Sequence, residues 1–222
     1  MRTIGIDVGS TTVKAVVRDG EEAVWRDYQR HNTHQATKVL EFLGRMESEC
    51  GVVPGRDRVF LTGSGAGLIA PLVGGRIVQE VVAVAAAVER LHPAVRFVSE
   101  IGGEDMKTIF FTESTAGTSK QIYMQAACSG GTGHTLHKIS SKCGIFAEAD
   151  ANSLLKSGVP VAEIVASLFE AVVYQNLATL TKGNTPLPHV LLLGGPNTFF
   201  RGLQEAWRHH LGLLWQERGV AL

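Results

Sequence analysis

Ile4-Gly5-Ile6-Asp7-Val8-Gly9-Ser10-Thr11-Thr12 carries an apolar strand into an acidic residue and then into a tight glycine turn. A second strand follows at Val13 to Val17, Arg18-Asp19-Gly20-Glu21 supplies a hairpin turn, and Ala23 to Gln29 alternates as a third strand. Val39, Leu40, Phe42, Leu43 and Met46 then recur at helical spacing over Gln35 to Cys50. The same order begins again further on. Val95 to Ile101 is a strand, Gly102-Gly103-Glu104-Asp105 an acidic turn and Met106 to Phe111 a strand. Ala116-Gly117-Thr118 is a turn, Gln121 to Met124 a strand, and a helix starts at about Thr132. Asp7-Val8-Gly9-Ser10 and Gly102-Gly103-Glu104-Asp105 thus take equivalent places in two copies of one β-β-β-α plan, a duplication of pattern rather than of sequence.

The remaining segments fit around this plan. Pro54-Gly55 breaks the chain before a strand at Val59 to Thr62 and a second glycine loop, Gly63-Ser64-Gly65-Ala66-Gly67. Gln79 to Leu91 is a helix apolar most of the way round, so it packs on several sides. Val161 to Thr181 reads as a long helix, His189 to Leu193 as a buried strand ending in Gly194-Gly195-Pro196, and Leu203 to Leu211 as a closing helix. The boundary between lobes is expected near Leu91-His92-Pro93-Ala94, giving lobes 1–93 and 94–222.

Composition removes several function classes. Lys plus Arg and Asp plus Glu both number 21 in a chain of 222 residues, so no long-range field favours nucleic acid or an anionic membrane. The most apolar run, Val78 to Val88, holds Gln79 and Glu80 and is too short to span a bilayer. The N-terminus begins at once as a strand, which predicts no secretory signal. Three cysteines cannot pair completely, and two flank a glycine loop, a usage suited to a reducing cytoplasm.

Chemistry concentrates at the strand ends. Met124-Gln125-Ala126-Ala127-Cys128-Ser129-Gly130-Gly131-Thr132-Gly133-His134 runs from a strand through a cysteine and a bare loop into a helix. Backbone amides at Gly130, Gly131 and Thr132 can close on an anion, helped by the positive end of the helix. A thiol in that place is drawn toward thiolate, the form that binds metal. Asp7 and Asp105, each beside a glycine turn, can hold a hydrated Mg²⁺. Amides near Gly9, Ser10, Thr11 and Thr12, and near Gly102, Gly103 and Glu104, can grip β- and γ-phosphates. Gly194-Gly195-Pro196 offers a flat surface for an adenine and its ribose. Plainer readings stand beside these. Asp7 and Asp105 can be turn formers, and Cys128 and Cys143 small buried hydrophobes or, with His134 and His137, zinc ligands. Cys50 reads as structural, His209-His210 as a solvated face, and Lys14 and Lys107 as exposed strand lysines that can also neutralise phosphate.

Gly5-Ile6-Asp7-Val8-Gly9-Ser10-Thr11, Ile101-Gly102-Gly103-Glu104-Asp105-Met106-Lys107, Gly130-Gly131-Thr132-Gly133 and Leu193-Gly194-Gly195-Pro196 resemble the two phosphate motifs, connecting motif and adenosine motif of the actin, sugar-kinase and heat-shock ATPase superfamily. Within it, Ala127-Cys128-Ser129-Gly130-Gly131-Thr132-Gly133 and Ser140-Ser141-Lys142-Cys143-Gly144-Ile145-Phe146-Ala147 resemble the ATP-dependent activators of 2-hydroxyacyl-CoA dehydratases and the ATPase subunits of benzoyl-CoA reductases. The resemblance implies an α/β fold of two tandem ribonuclease-H-like lobes around a nucleotide cleft. It further implies ATP/ADP and Mg²⁺ binding, and a homodimer sharing one [4Fe–4S] cluster to which each copy gives Cys128 and Cys143. ATP hydrolysis would then push an electron, received from a reduced ferredoxin or flavodoxin, onto a dehydratase or reductase partner.

Three features depart from the family pattern. Cys128 and Cys143 are closer in sequence than the family's cysteines. A helix from Thr132 to Ile139 carries the chain roughly 11 Å away, and Ser140 to Lys142 barely bring it back. That implies residues absent between about Lys138 and Ser141. Gly63-Ser64-Gly65-Ala66 lacks the arginine of small activators, and the helix after Glu80 lacks their histidine. Two other function classes are open. A small-molecule, sugar-type kinase of the same fold needs a carboxylate base, for which Asp57 is nearest by position. A non-catalytic module would bind nucleotide without turnover.

Overall fold

The computed structural model describes residues 1–103, 105–114, 117–125 and 153–221, and the chain divides into two units, Met1–Ala87 and Val88–Leu222. The first unit begins with β1 (Thr3–Val8), β2 (Thr12–Asp19) and β3 (Glu22–Arg30), followed by α1 (Gln35–Cys50) and β4 (Arg58–Thr62). It continues through α2 (Ala66–Val73), β5 (Arg76–Ile77) and the first two turns of α3 (Glu80–Leu91), whose residues from Val88 on belong to the second unit. The sheet runs β3-β2-β1-β4-β5, with β1 antiparallel to β2 and parallel to β4. Period-2 alternation turns Ile4, Ile6 and Val8 to one face, where they meet Val39, Phe42 and Met46 of α1 and Ile69 and Ala70 of α2. Each such side chain, fully buried, contributes about 1.5–3 kcal/mol of transfer free energy. Helix α1 stops at Gly51, which takes φ 63° and returns its N–H to the Glu47 carbonyl.

The second unit repeats the plan with β6 (Phe97–Ile101), β7 (Met106–Ser114) and β8 (Gly117–Gln125), then α4 (Val161–Leu180) and β9 (Val190–Leu193). It closes with α5 (Gly195–Phe199) and α6 (Arg201–Arg218). Its sheet runs β8-β7-β6-β9, with β6 antiparallel to β7 and parallel to β9. Phe97 lies at the centre of the core, its ring 4.9 Å from Phe110 and 6.4 Å from Trp207. By length and composition alone α4 could cross a membrane. Within its unit it buries Ile164, Val172, Val173, Asn176 and Leu180. Asn176 donates to the Val172 carbonyl at 2.8 Å, and the Leu180 carbonyl accepts from Thr108 Oγ1 at 2.8 Å.

Several boundaries differ from the sequence reading for physical reasons. The stretch read as a loop through Gly67 gives way to α2 at Ala66, because burying Ile69 and Ala70 outweighs the cost of Gly67 and Pro71. The β7–β8 hairpin is longer than expected, with strands reaching Ser114 and restarting at Gly117. Helix α6 runs past Leu211 to Arg218, since Gly212 costs less than the packing on either side gains.

Candidate functional site

In the first unit Asp7 stands opposite Lys14 in the β1–β2 ladder, with Lys14 Nζ 2.6 Å from Asp7 Oδ2. The other oxygen, Asp7 Oδ1, is buried and accepts no hydrogen bond among the described residues, and the same is true of Thr62 Oγ1. Thr62 is the partner of Asp7 in the parallel β1–β4 register. Both residues border an open hollow of about 330 Å³ whose other walls include Val16, Phe60 and Val78. Gly63 makes this possible. At φ 90° its backbone passes so close that a Cβ would lie 2.5 Å from Asp7 Oδ1 and from the Val8 carbonyl oxygen.

The turn after β1 sits directly on the ion pair. A Cβ on Gly9 would be 3.7 Å from Lys14 Nζ and 4.0 Å from Asp7 Oδ1. The Gly9 N–H closes the turn on the Thr12 carbonyl at 3.0 Å, while the Ser10 and Thr11 amides make no hydrogen bond among the described residues. Two side chains that the sequence did not single out hold the turn from behind. His31 Nε2 and Gln35 Nε2 lie 3.1 and 3.2 Å from the Gly9 carbonyl oxygen. The structure therefore gathers Asp7, Gly9, Ser10, Thr11 and Thr12 into one cluster and adds Lys14, His31, Gln35 and Thr62 to it.

The second unit carries a related turn, with Gly102 N–H donating to the Asp105 carbonyl at 2.9 Å. Alignment by hydrogen-bond register corrects the expected equivalence. Gly9 matches Gly102 and Thr12 matches Asp105, so the residue facing Lys107 as Asp7 faces Lys14 is Glu100. Asp105 lies within the turn itself, its Oδ1 where a Gly102 Cβ would be only 2.5 Å away. Lys107 is not an exposed strand lysine. It is fully buried, with Nζ 2.9 Å from Asp105 Oδ2 and 3.8 Å from Glu100 Oε2, because β7 is covered on both faces.

Gly194-Gly195-Pro196 is not a flat loop, since α5 starts at Gly195 and Pro196 is buried. Gly194, at φ 89°, presses on β6 as Gly63 presses on β1, with a Cβ position 2.0 Å from the Ile101 carbonyl oxygen. Asn197 is also buried, donating to the carbonyls of Ser99 (3.1 Å) and Leu193 (2.9 Å) and accepting from Trp207 Nε1 (3.0 Å). The half-buried surface left there comes from Gly194 and Gly195.

Glu104, Cys128, Gly130, Gly131, Thr132, His134, His137 and Cys143, and the junction at Lys138 to Ser141, lie outside the described residues. Among the described residues no group of three or more His, Cys, Asp or Glu side chains gathers for a metal ion. Asp57 is poorly placed as a base. Its covered carboxylate accepts from the Arg2 and Val53 amides at 2.9 Å each and from Arg56 at 2.8 Å. The Arg56 guanidinium and these amides hold it well below the usual carboxylate range. Cys50 is structural, its thiol donating to the Met46 carbonyl at 3.1 Å and pushed up by burial. His209 and His210 touch edge to face, and His210 approaches Glu170 at 3.7 Å rather than standing wholly in solvent.

No protein-family model matches the chain. It is 26% identical over 226 residues to the activator of lactoyl-CoA dehydratase of Anaerotignum propionicum, spanning 88% of this chain and 83% of that one. It is 27% identical over 202 residues to the (R)-2-hydroxyglutaryl-CoA dehydratase activating ATPase of Acidaminococcus fermentans, spanning 77% and 74% of the two chains. Among solved structures, the activator of the 2-hydroxyisocaproyl-CoA dehydratase from Clostridium difficile, with bound ADPNP, superposes with a TM-score of 0.78. That match has 24% identity and covers 96% of this chain and 86% of that one. The chain shares the fold of that activator.

Proposed function

We propose, from the chain's homology with the activators of 2-hydroxyacyl-CoA dehydratases, that it hydrolyses ATP to drive electron delivery to a dehydratase-type partner. One observation carries the nucleotide half: the buried Oδ1 of Asp7, without a hydrogen-bond partner among the described residues, at the mouth of the Gly9–Thr12 turn. A buried carboxylate oxygen without a partner is costly unless it is satisfied on binding. A hydrated Mg²⁺ suits it, because that ion keeps several waters and takes only one or two carboxylates. When bound, Mg²⁺ offsets charge on the β- and γ-phosphates. Asp7 Oδ1 would hold that hydrated ion, with Lys14 Nζ 2.6 Å from the other carboxylate oxygen. The Ser10 and Thr11 amides would face phosphate oxygens; within the second unit Gly102, Gly103 and Asp105 form a similar turn beside Glu100 and Lys107.

The redox half rests on sequence and homology. Cys128 and Cys143 would supply two thiolates, matched by two from a second copy, to a [4Fe–4S] cluster. Such a cluster is a low-potential one-electron centre, and a reduced ferredoxin or flavodoxin is the fitting donor class. The kinase reading loses its base, because the Asp57 carboxylate is already satisfied by two amides and a guanidinium.

Anaerobic iron and acid-labile sulfide analysis of the full chain, paired with an ATPase assay, tests both halves. The expected result is iron and sulfide in equal amounts, lost in Cys128→Ser, with ATP hydrolysis retained. Iron-free protein overturns the redox half. Hydrolysis stimulated by a sugar points to the kinase, and bound nucleotide without turnover to the non-catalytic module.

A further inference from the structure

We propose that His31, seconded by Gln35, is a positioning residue that sets and polarises the Ser10 N–H for a phosphate oxygen; this rests on the nucleotide reading of the Gly9–Thr12 turn. His31 is only 5% exposed although it lies in the connection between β3 and α1. Its two ring nitrogens are both engaged: the Thr33 amide donates to Nδ1 at 3.1 Å, and Nε2 lies 3.1 Å from the Gly9 carbonyl oxygen. An amide N–H can only donate, so the hydrogen-bond pattern assigns Nδ1 as acceptor and Nε2 as the protonated nitrogen. The ring therefore donates to Gly9. Gln35 Nε2 donates to the same carbonyl at 3.2 Å, and the His31 N–H reaches the Thr11 carbonyl at 3.3 Å.

Peptide geometry converts these contacts into a direction. Gly9 C=O and Ser10 N–H belong to one planar trans peptide group, so they point opposite ways. Two donors fixed on the Gly9 oxygen hold the Ser10 N–H away from His31. Two donors on one carbonyl also polarise the group, making the N–H at its other end a stronger donor. The chain accepts strain to put His31 there, since Asn32 and Thr33 take φ 47° and 69° in succession. The Thr33 amide that fixes the tautomer belongs to this left-handed pair.

Substitutions of different reach separate this role from simple loop packing. In His31→Gln the side-chain amide extends as far as Nε2 and can donate to Gly9. In His31→Asn it reaches only as far as Nδ1, keeping the Thr33 contact and losing the Gly9 one. ATP affinity of the full chain is measured by titration calorimetry, with melting temperature recorded without nucleotide. His31→Asn is expected to weaken ATP binding about tenfold, while His31→Gln stays within about threefold of the parent. Gln35→Leu, at a half-buried site, loses about threefold and serves where a His31 variant fails to fold. Equal loss in the Gln and Asn variants, or unchanged affinity in His31→Asn or in Gln35→Leu, overturns the assignment. Absence of ATP binding by the parent chain overturns the nucleotide reading itself.

Discussion

Gly194→Ala places a methyl group where the backbone leaves no room for one. The residue sits at φ 89°, and the new Cβ falls 2.0 Å from the Ile101 carbonyl oxygen and 2.7 Å from its carbon. Carbon–oxygen contacts close at about 3.3–3.6 Å, so more than an ångström of overlap must be relieved. Ile101 ends β6, which is laddered to β7 on one side and to β9 on the other, so it cannot recede without breaking sheet hydrogen bonds. At φ 89° and ψ 161° the residue occupies a region that is essentially glycine's alone, which costs an alanine about 1–3 kcal/mol. Losing one or two ladder bonds adds about 1 kcal/mol each. The total is roughly 2–5 kcal/mol, a large share of the 5–15 kcal/mol typical of a folded domain. At about 2–4 °C per kcal/mol for a chain of this size, the melting temperature falls by roughly 4–20 °C. Thermal unfolding of the full chain by circular dichroism reads this directly. Gly212→Ala is the internal control, because its Cβ meets nothing within 4 Å in the middle of α6 and it gains helix propensity. Equal melting temperatures for Gly194→Ala and the parent would refute the close-approach argument.

Asp7→Asn keeps the shape but weakens the oxygen offered to a hydrated cation; ATP hydrolysis should fall about 100-fold. Unchanged turnover in a steady-state phosphate-release assay would remove Asp7 from the proposed metal site. Lys107→Met leaves the Asp105 and Glu100 carboxylates without the Lys107 ammonium and should cost roughly 3 kcal/mol in a urea titration. A midpoint equal to the parent's would show that Lys107 carries no structural charge balance. Asp57 has a folded pKa below its unfolded value, so its contribution to stability is present above about pH 4 and is lost as pH falls through the folded value. Asp57→Asn should therefore lower the melting temperature near neutrality and flatten its acid limb; an acid limb as steep as the parent's counts against the link.

The succession of strands and helices along the chain was legible because each unit writes it in local signals. Ile4, Ile6 and Val8 alternate, glycine turns end the strands, and α1 carries its stripe at helical spacing. What escaped depends on contacts between distant residues. Matching acid to acid aligns Asp7 with Asp105, since both flank glycines. Only the hydrogen bonds Gly9 to Thr12 and Gly102 to Asp105 move the match to Glu100. Lys107 reads as exposed when β7 is taken as a half-buried strand. Its neighbours Met106, Thr108, Ile109, Phe110 and Phe111 are buried too, and the run Ile109-Phe110-Phe111 was the available sign of a strand covered on both faces. His31 left no periodic trace, because its role is one bond to a carbonyl 22 positions earlier. The short helix α2 was hidden by Gly67 and Pro71, whose poor propensity is overridden by burial of Ile69 and Ala70.

The two lysines show why a duplicated framework need not duplicate its chemistry. Lys14 and Lys107 occupy the same ladder position, each opposite an acidic residue. Lys14 is 40% exposed, with its ammonium against one carboxylate and 5.8 Å from the Tyr28 ring. A pair whose ammonium still reaches solvent is worth less than a buried one, so exchanging the Asp7 oxygen for a phosphate oxygen costs Lys14 little. Lys107 is 1% exposed and lies between two carboxylates. Turning it toward a ligand would strand those charges in a desolvated site, which costs several kcal/mol. On the nucleotide reading, the first unit therefore holds the lysine able to answer the arrival and loss of a phosphate, and the second holds a fixed counter-ion for its acidic turn. The asymmetry lies in burial and partner number, which a likeness between the two turns in sequence does not reveal.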